Sequence, residues 1–260
     1  MRRVYAIANQ KGGVGKTTTC ICLGAALAEQ GKQVLLIDLD PQAGLTTGLG
    51  FDPDSFEMTI YNAMIDPENI SLRDLTLDTS VPGVRLVPSN LDLAGVEAEL
   101  IGEIGWDRTL RELLEAPIGE YDFVLVDCPP SLGVLTTNAL MAADHVIVPV
   151  QTEYLALRGL KQLGKIIAKV RRKGNPDLTV SILRTMYDAR TVHAREVAEE
   201  LERVFPEQVY ETVIRRTIKF ADASLAGEPI LSYAANSPGA VAYRELAKEI
   251  LSHEETLSKG

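Results

Sequence analysis

Apolar and polar positions follow two rhythms along this chain. Short runs that are apolar on both faces are separated by longer segments in which apolar residues recur every three or four positions. The first kind reads as a strand buried inside a parallel sheet, the second as a helix laid over it. Strands are expected at Val4–Asn9, Gln33–Asp38, Val84–Val87, Tyr121–Asp127, His145–Val150 and Leu178–Thr185. Helices are expected at Lys16–Gln30, Trp106–Leu114, Gly133–Ala143, Leu155–Arg172, Thr191–Val204 and Gly239–Ser252, with Gly31 ending the first. This alternation implies one α/β domain over residues 1–253, a mostly parallel twisted sheet with helices on both faces. The polar stretch 254–260 reads as a frayed tail.

Composition supports that picture. The chain has 260 residues, and 46% of them are hydrophobic, enough to fill a full core. No apolar run reaches the roughly 18 residues of a membrane span. Met1-Arg2-Arg3 leads straight into a strand, not a signal peptide, so a cytoplasmic protein is expected. Cys20 and Cys22 diverge on a helix and Cys128 is isolated, so all three read as small buried residues.

Residues 12–18, Gly-Gly-Val-Gly-Lys-Thr-Thr, follow a strand and open a helix. Glycines let the backbone turn its N–H groups inward as a nest for phosphate, and the helix N-terminus adds its dipole. In this reading Lys11, Gly12, Gly13, Val14, Gly15, Lys16, Thr17 and Thr18 bind the nucleotide. Lys16 reaches the β- and γ-phosphates, and the Thr17 hydroxyl binds Mg2+. The fold class is therefore a single-domain P-loop NTPase. Gln10 stands where such loops usually begin with glycine, and Lys11 follows it. A second lysine there suits a face-to-face homodimer, in which it crosses to the partner's γ-phosphate.

Two acidic segments fall at strand ends, where ligands bind in such sheets. Asp40, in Asp38-Leu39-Asp40-Pro41-Gln42, is placed to hold an attacking water, and Asp38 nearer the metal shell. Asp127 caps an apolar strand, as the second magnesium acid of phosphate-loop enzymes does. The Gly-, Thr- and Ser-rich segments Gln42–Gly48 and Pro130–Gly133 suit switch loops. The chain holds no Asn-Lys-x-Asp guanine motif, which favours adenine and hence ATP.

Charge is uneven. The net charge is −10, yet residues 158–219 hold 14 basic and 8 acidic side chains. A local basic stretch governs nucleic-acid binding more than the total does. Lys161, Lys165, Lys169 and Arg171–Lys173 read equally well as the solvated face of a long helix.

The segments KGGVGKTTT, DLDPQ, LVDCPPSLG, VPVQTEYLALRGL and MYDART occur in this order. Together they resemble the ParA/Soj/MinD ATPases with the deviant phosphate loop, above all the short Soj-type partition ATPases, from about residue 3 to 252. The resemblance implies an ATP-driven sandwich dimer that binds double-stranded DNA without sequence preference. It also implies a ParB-like centromere-binding activator that triggers hydrolysis, and a nucleoid-associated location. Lys11 matches the signature lysine, Asp40 the catalytic aspartate, Asp127 the Walker B-like acid, and Gly12 the glycine at which two loops approach. Arg190 and Lys219 match DNA-binding arginines, with Arg216 in the same basic stretch. Lys219 lacks the guanidinium fork, and Arg215 stands where Soj-like chains carry proline, near the adenine pocket. The strand starting at once makes operator-specific DNA reading unexpected. A same-family positioner of another cargo (a carboxysome or chemoreceptor array) shares this chemistry. A MinD-like membrane ATPase needs a basic amphipathic C-terminal helix, and this C-terminus is acidic. An iron–sulfur electron-transfer ATPase needs a second cysteine beyond Cys128.

Overall fold

The strand β2 (Val34–Asp38) is buried throughout, and the pleat sends Val34 and Leu36 to one face and Leu35 and Ile37 to the other. Each such fully buried Leu or Ile contributes roughly 1.5–3 kcal/mol. A strand this apolar is stable only between two covered faces. The computed structural model, which describes residues 2–116, 118–152, 156–188 and 190–257, places it inside an eight-stranded sheet of order β3-β4-β2-β5-β1-β6-β7-β8. The other strands are β1 (Arg3–Ile7), β3 (Leu77–Asp78), β4 (Val84–Val87), β5 (Phe123–Asp127), β6 (His145–Gln151), β7 (Thr179–Tyr187) and β8 (Val209–Arg215). All described pairings are parallel except β3 with β4.

Helices divide between the two faces. One face is covered by α1 (Lys16–Glu29), α2 (Gly44–Gly48), α10 (Lys219–Leu225), α11 (Ile230–Tyr233) and α12 (Pro238–Leu257). The other carries α3 (Ile60–Ile65), α4 (Leu72–Leu75), α5 (Val96–Leu100), α6 (Thr109–Glu115), α7 (Val134–Ala142), α8 (Ala156–Lys173) and α9 (Val192–Val204).

The sequence reading places the larger elements within a few residues of their observed ends, and three differences have physical causes. Strand β8 was not expected: its exposed Glu211 and half-exposed Thr212 and Val213 interrupt the apolar run, as befits an edge strand. Helix α6 starts at Thr109, not Trp106, because Asn138 fixes the preceding turn, donating to the Trp106 carbonyl at 2.8 Å and accepting from the Leu110 N–H. Residues 254–257, expected in a frayed tail, continue α12. Glu254 there accepts from the Tyr5 hydroxyl at 2.6 Å and pairs with Arg3 at 2.5 Å, so a polar segment is held by polar partners. Glu153–Leu155 of the TEYLALRGL segment, with the expected start of its helix, lie outside the described residues, as does Ala189.

Candidate active site

The parallel register sets three chemically loaded strand ends side by side. Asp127 at the end of β5 pairs with Ile7 of β1 on one side and with Asp38 of β2 on the other. The loop after β1 therefore leaves the sheet directly beside both carboxylates. Gly13 and Gly15 carry φ of 71° and 87°, a left-handed conformation that favours glycine. Gly15 is the N-cap of α1, and no side chain caps that helix and no acid sits in its first turn. The first N–H groups of α1 thus present donors and a positive dipole end to an anion. Lys16, buried in the first turn, adds its charge there.

Two buried side chains hold this loop to the sheet. Asn9 donates to the Pro149 carbonyl at 2.7 Å and accepts from the Lys11 N–H at 3.0 Å. Thr185, on β7, donates to the Val14 carbonyl at 2.8 Å. Neither residue was singled out from sequence; the only signal is a polar residue at the end of a buried strand. The exposed Lys11 ammonium donates to Gln151 Oε1 at 3.2 Å.

The three aspartates differ in their surroundings. Asp38 is fully buried, and its oxygens accept from the Thr46 N–H and hydroxyl at 2.8 and 2.7 Å and from the Asp40 N–H at 3.2 Å. Its carboxylate is thus spent on shaping the 40–46 loop. Burial pushes its pKa up to about 6, against the pull of those donors. Asp127 is also buried, and its pKa is raised well above the usual carboxylate range, first by burial and then by the neighbouring Asp38. Its Oδ2 accepts from the Thr17 hydroxyl at 2.6 Å, while its Oδ1 is buried with no hydrogen bond among the described residues. A buried carboxylate oxygen without a donor, beside a threonine hydroxyl, fits a hard divalent cation such as magnesium. The residues that fit it are Thr17 and Asp127. Asp40 is half-exposed, and its Oδ1 accepts from the Gln42 N–H at 3.0 Å.

A cavity of about 370 Å³ opens against the loop, between Gly15 and Thr18 on one side and Ile214–Thr217 on the other. Met186, with φ of 51°, Phe220 and Tyr243 complete its apolar wall. Its size and lining suit a nucleoside. The sequence reading placed Arg215 near such a pocket, and it lines this one. Arg216, expected at a DNA surface, also lines the cavity. It lies beside Asp188, whose pKa is lowered to about 2, mainly by hydrogen bonds from Arg190. Arg190 is exposed over 89% of its side chain, with Nε and Nη2 on the Asp188 carboxylate at 2.9 and 2.7 Å. Lys219 stands in the first turn of α10, 3.6 Å from Asp222 and 5.8 Å from the Tyr233 ring centroid.

A family model described as an AAA domain matches residues 2–180. The chain is 45% identical over 251 residues to the sporulation initiation inhibitor protein Soj of Bacillus subtilis, covering 96% of this chain and 98% of that one. It is 45% identical over 255 residues to the chromosome partitioning protein ParA of Caulobacter vibrioides, covering 97% and 95%. A crystal structure described as cobyrinic acid a,c-diamide synthase from Mycobacterium smegmatis, with bound ATP analogue and magnesium, superposes with a TM-score of 0.86. That chain is 42% identical, with 98% of this chain and 96% of that one covered.

Proposed function

Because the chain belongs to the ParA/Soj/MinD family of ATPases with the deviant phosphate loop, we propose that it is a partition ATPase, an ATP-switched homodimer that carries DNA. The dimer binds double-stranded DNA without sequence preference. A ParB-like activator bound at a centromere triggers hydrolysis and release, and the cycle segregates a chromosome or plasmid. Basal turnover is slow, since the switch must persist until that partner arrives. The protein works in the cytoplasm on the nucleoid.

The observation that carries the ATPase reading is the meeting of Lys16, the Thr17–Asp127 pair and the nucleoside-sized cavity around one glycine loop. Water attacks the γ-phosphorus in line, the bond to the β,γ-bridging oxygen breaks, and ADP and phosphate leave. Asp40 orients that water. Lys16 on its own subunit and Lys11 from the facing one stabilise the charge that grows on the phosphate oxygens. Thr17 and Asp127 would hold magnesium, which would supply positive charge against the β- and γ-phosphates. Asp38 positions Asp40 by fixing the backbone of its loop.

Arg190 and Arg216 flank Asp188 just beyond β7. A single protomer offers few phosphate contacts; a dimer places two such sets on one duplex, and avidity multiplies weak affinities. A MinD-like membrane attachment through the last helix fits less well. Tyr243, Leu246, Ala247 and Ile250 of α12 are buried in the core, so its apolar face is already used.

The test is binding to a non-specific duplex with ATP and magnesium against ADP and magnesium, at low and moderate salt. Salt-sensitive binding with ATP alone supports the reading. ATP-driven dimers that ignore DNA leave the ATPase standing and remove the partition role. The Mycobacterium smegmatis protein is named for amide synthesis, and phosphate release without any acid acceptor separates hydrolysis from that chemistry.

A further inference from the structure

Helix α8 carries seven basic side chains and no acidic one, in a chain whose net charge is −10. Lys161, Lys165, Lys169 and Lys173 recur at every fourth position, and all four are exposed. Side chains four apart are neighbours on a helix, so this row sets like charges beside each other and weakens the helix that bears it. Elsewhere in the second half of the chain, Arg184, Arg190, Arg203 and Lys219 each hold a carboxylate. Among the described residues no acid lies within ion-pair distance of the α8 row. Helix α7, which packs beside α8, has no charged residue to compensate it.

The opposite face of α8 is committed. Leu163, Ile167 and Val170 are 1–5% exposed and sit in the core. Those residues are therefore not free to meet a bilayer, and the exposed side of the helix offers a partner mainly basic groups. The row advances about 6 Å per step and about 18 Å in all. Duplex DNA carries a charge every ~3.4 Å along each strand, so a row of about 18 Å runs past about five such spacings, and flexible lysine stems can each reach a phosphate among them. Near the start of α8, Gly159 lies beside Asn9, which holds the phosphate loop, so the row begins close to the nucleotide.

We propose that the row Lys161, Lys165, Lys169 and Lys173 is a further DNA-phosphate contact surface, extending the footprint beyond Arg190, Arg216 and Lys219. This rests on the partition reading above. The contacts are to phosphate alone and read no sequence, so they show in the salt dependence of binding.

The experiment measures ATP-dependent binding of the full chain to a non-specific duplex across a salt series. The proteins are the unmodified chain, the triple variant Lys161→Gln, Lys165→Gln, Lys169→Gln, the matching triple Lys→Arg variant, and Arg190→Ala. The log–log salt slope of the glutamine variant is expected to shrink by about 0.9 per lost contact, up to ~5 for six lysines of a dimer. The arginine variant keeps the full slope, and the glutamine variant melts no lower than the unmodified chain, since it relieves the repulsion along the row. An unchanged slope in the glutamine variant, with Arg190→Ala still lowering it, overturns the α8 row alone. Loss of slope in the arginine variant as well overturns the charge argument. No DNA binding by the unmodified chain overturns both the row and the partition reading. Vesicles of anionic lipid form a control arm, and a row needed for them but not for DNA also overturns the proposal.

Discussion

The buried hydroxyl of Thr185 donates to the carbonyl of Val14 across 2.8 Å and 171 positions of sequence. Strand β7 thereby holds the phosphate loop from the side away from the aspartates, and the next residue, Met186, lines the nucleoside cavity. Thr185→Val keeps the shape and removes the donor. A buried carbonyl left without its partner costs about 1–3 kcal/mol. The variant should unfold at lower denaturant and show a raised KM for ATP. Wild-type values of both would show that the bond does not hold the loop.

Lys16 and Lys11 should separate two steps. Lys16 is buried at the start of α1, whereas Lys11 is exposed and rests on Gln151. Lys16→Ala is expected to lose nucleotide binding and dimers together. Lys11→Ala is expected to bind ADP normally and to lose ATP-driven dimers. Fluorescent nucleotide titration alongside light scattering checks this; Lys11→Ala dimers of normal mass would refute action in trans.

Asp40 offers a cleaner cut. Asp40→Ala removes the carboxylate proposed to orient the water, and should still dimerise with ATP and hold DNA, while turnover falls by about 10²-fold or more. Phosphate release under single-turnover conditions measures this, and a normal rate would assign the water to another group.

Arg190 is exposed over 89% of its side chain, which rests on the nearby Asp188. Arg190→Ala should keep ATP-driven dimers and weaken DNA binding at every sequence, with a salt slope lower by about 1 per protomer. Unchanged affinity would remove Arg190 from the surface.

His145 makes a pH prediction. Its Nδ1 lies 2.6 Å from the Thr179 hydroxyl oxygen, which itself donates to the Asp144 carbonyl, so Nδ1 is the protonated nitrogen. Burial, and then His253, lower its pKa to about 4. Between pH 6.5 and 4 the unfolded chain binds more protons, so stability falls as pH falls through that window. The loss is on the order of 2 kcal/mol after allowing for partial exposure of the ring. Comparing urea unfolding of the wild type and His145→Gln isolates it: the variant should lose less stability over that window. Parallel curves would mean His145 is not the group that titrates.

The sequence by itself determined the central strands and the larger helices between them, because strands covered on both faces are largely apolar and leave a clear run. It also determined the phosphate loop, since a lysine and threonine after closely spaced glycines have few other uses. Aspartates at two strand ends were legible for the same local reason. Only the tertiary structure decided which groups each of those aspartates bonds to. Asp38 and Asp127 look alike in sequence, yet Thr46 takes up the first and Thr17 the second, and the Thr46 bonds depend on how the loop folds back. The resemblance put Arg215 near an adenine pocket, but the other walls of the cavity were beyond the sequence because they come from β7, β8, α10 and α12, brought together by an edge strand too polar to announce itself. Partner choice between residues distant in the chain is set by register and packing, and local pattern does not encode it.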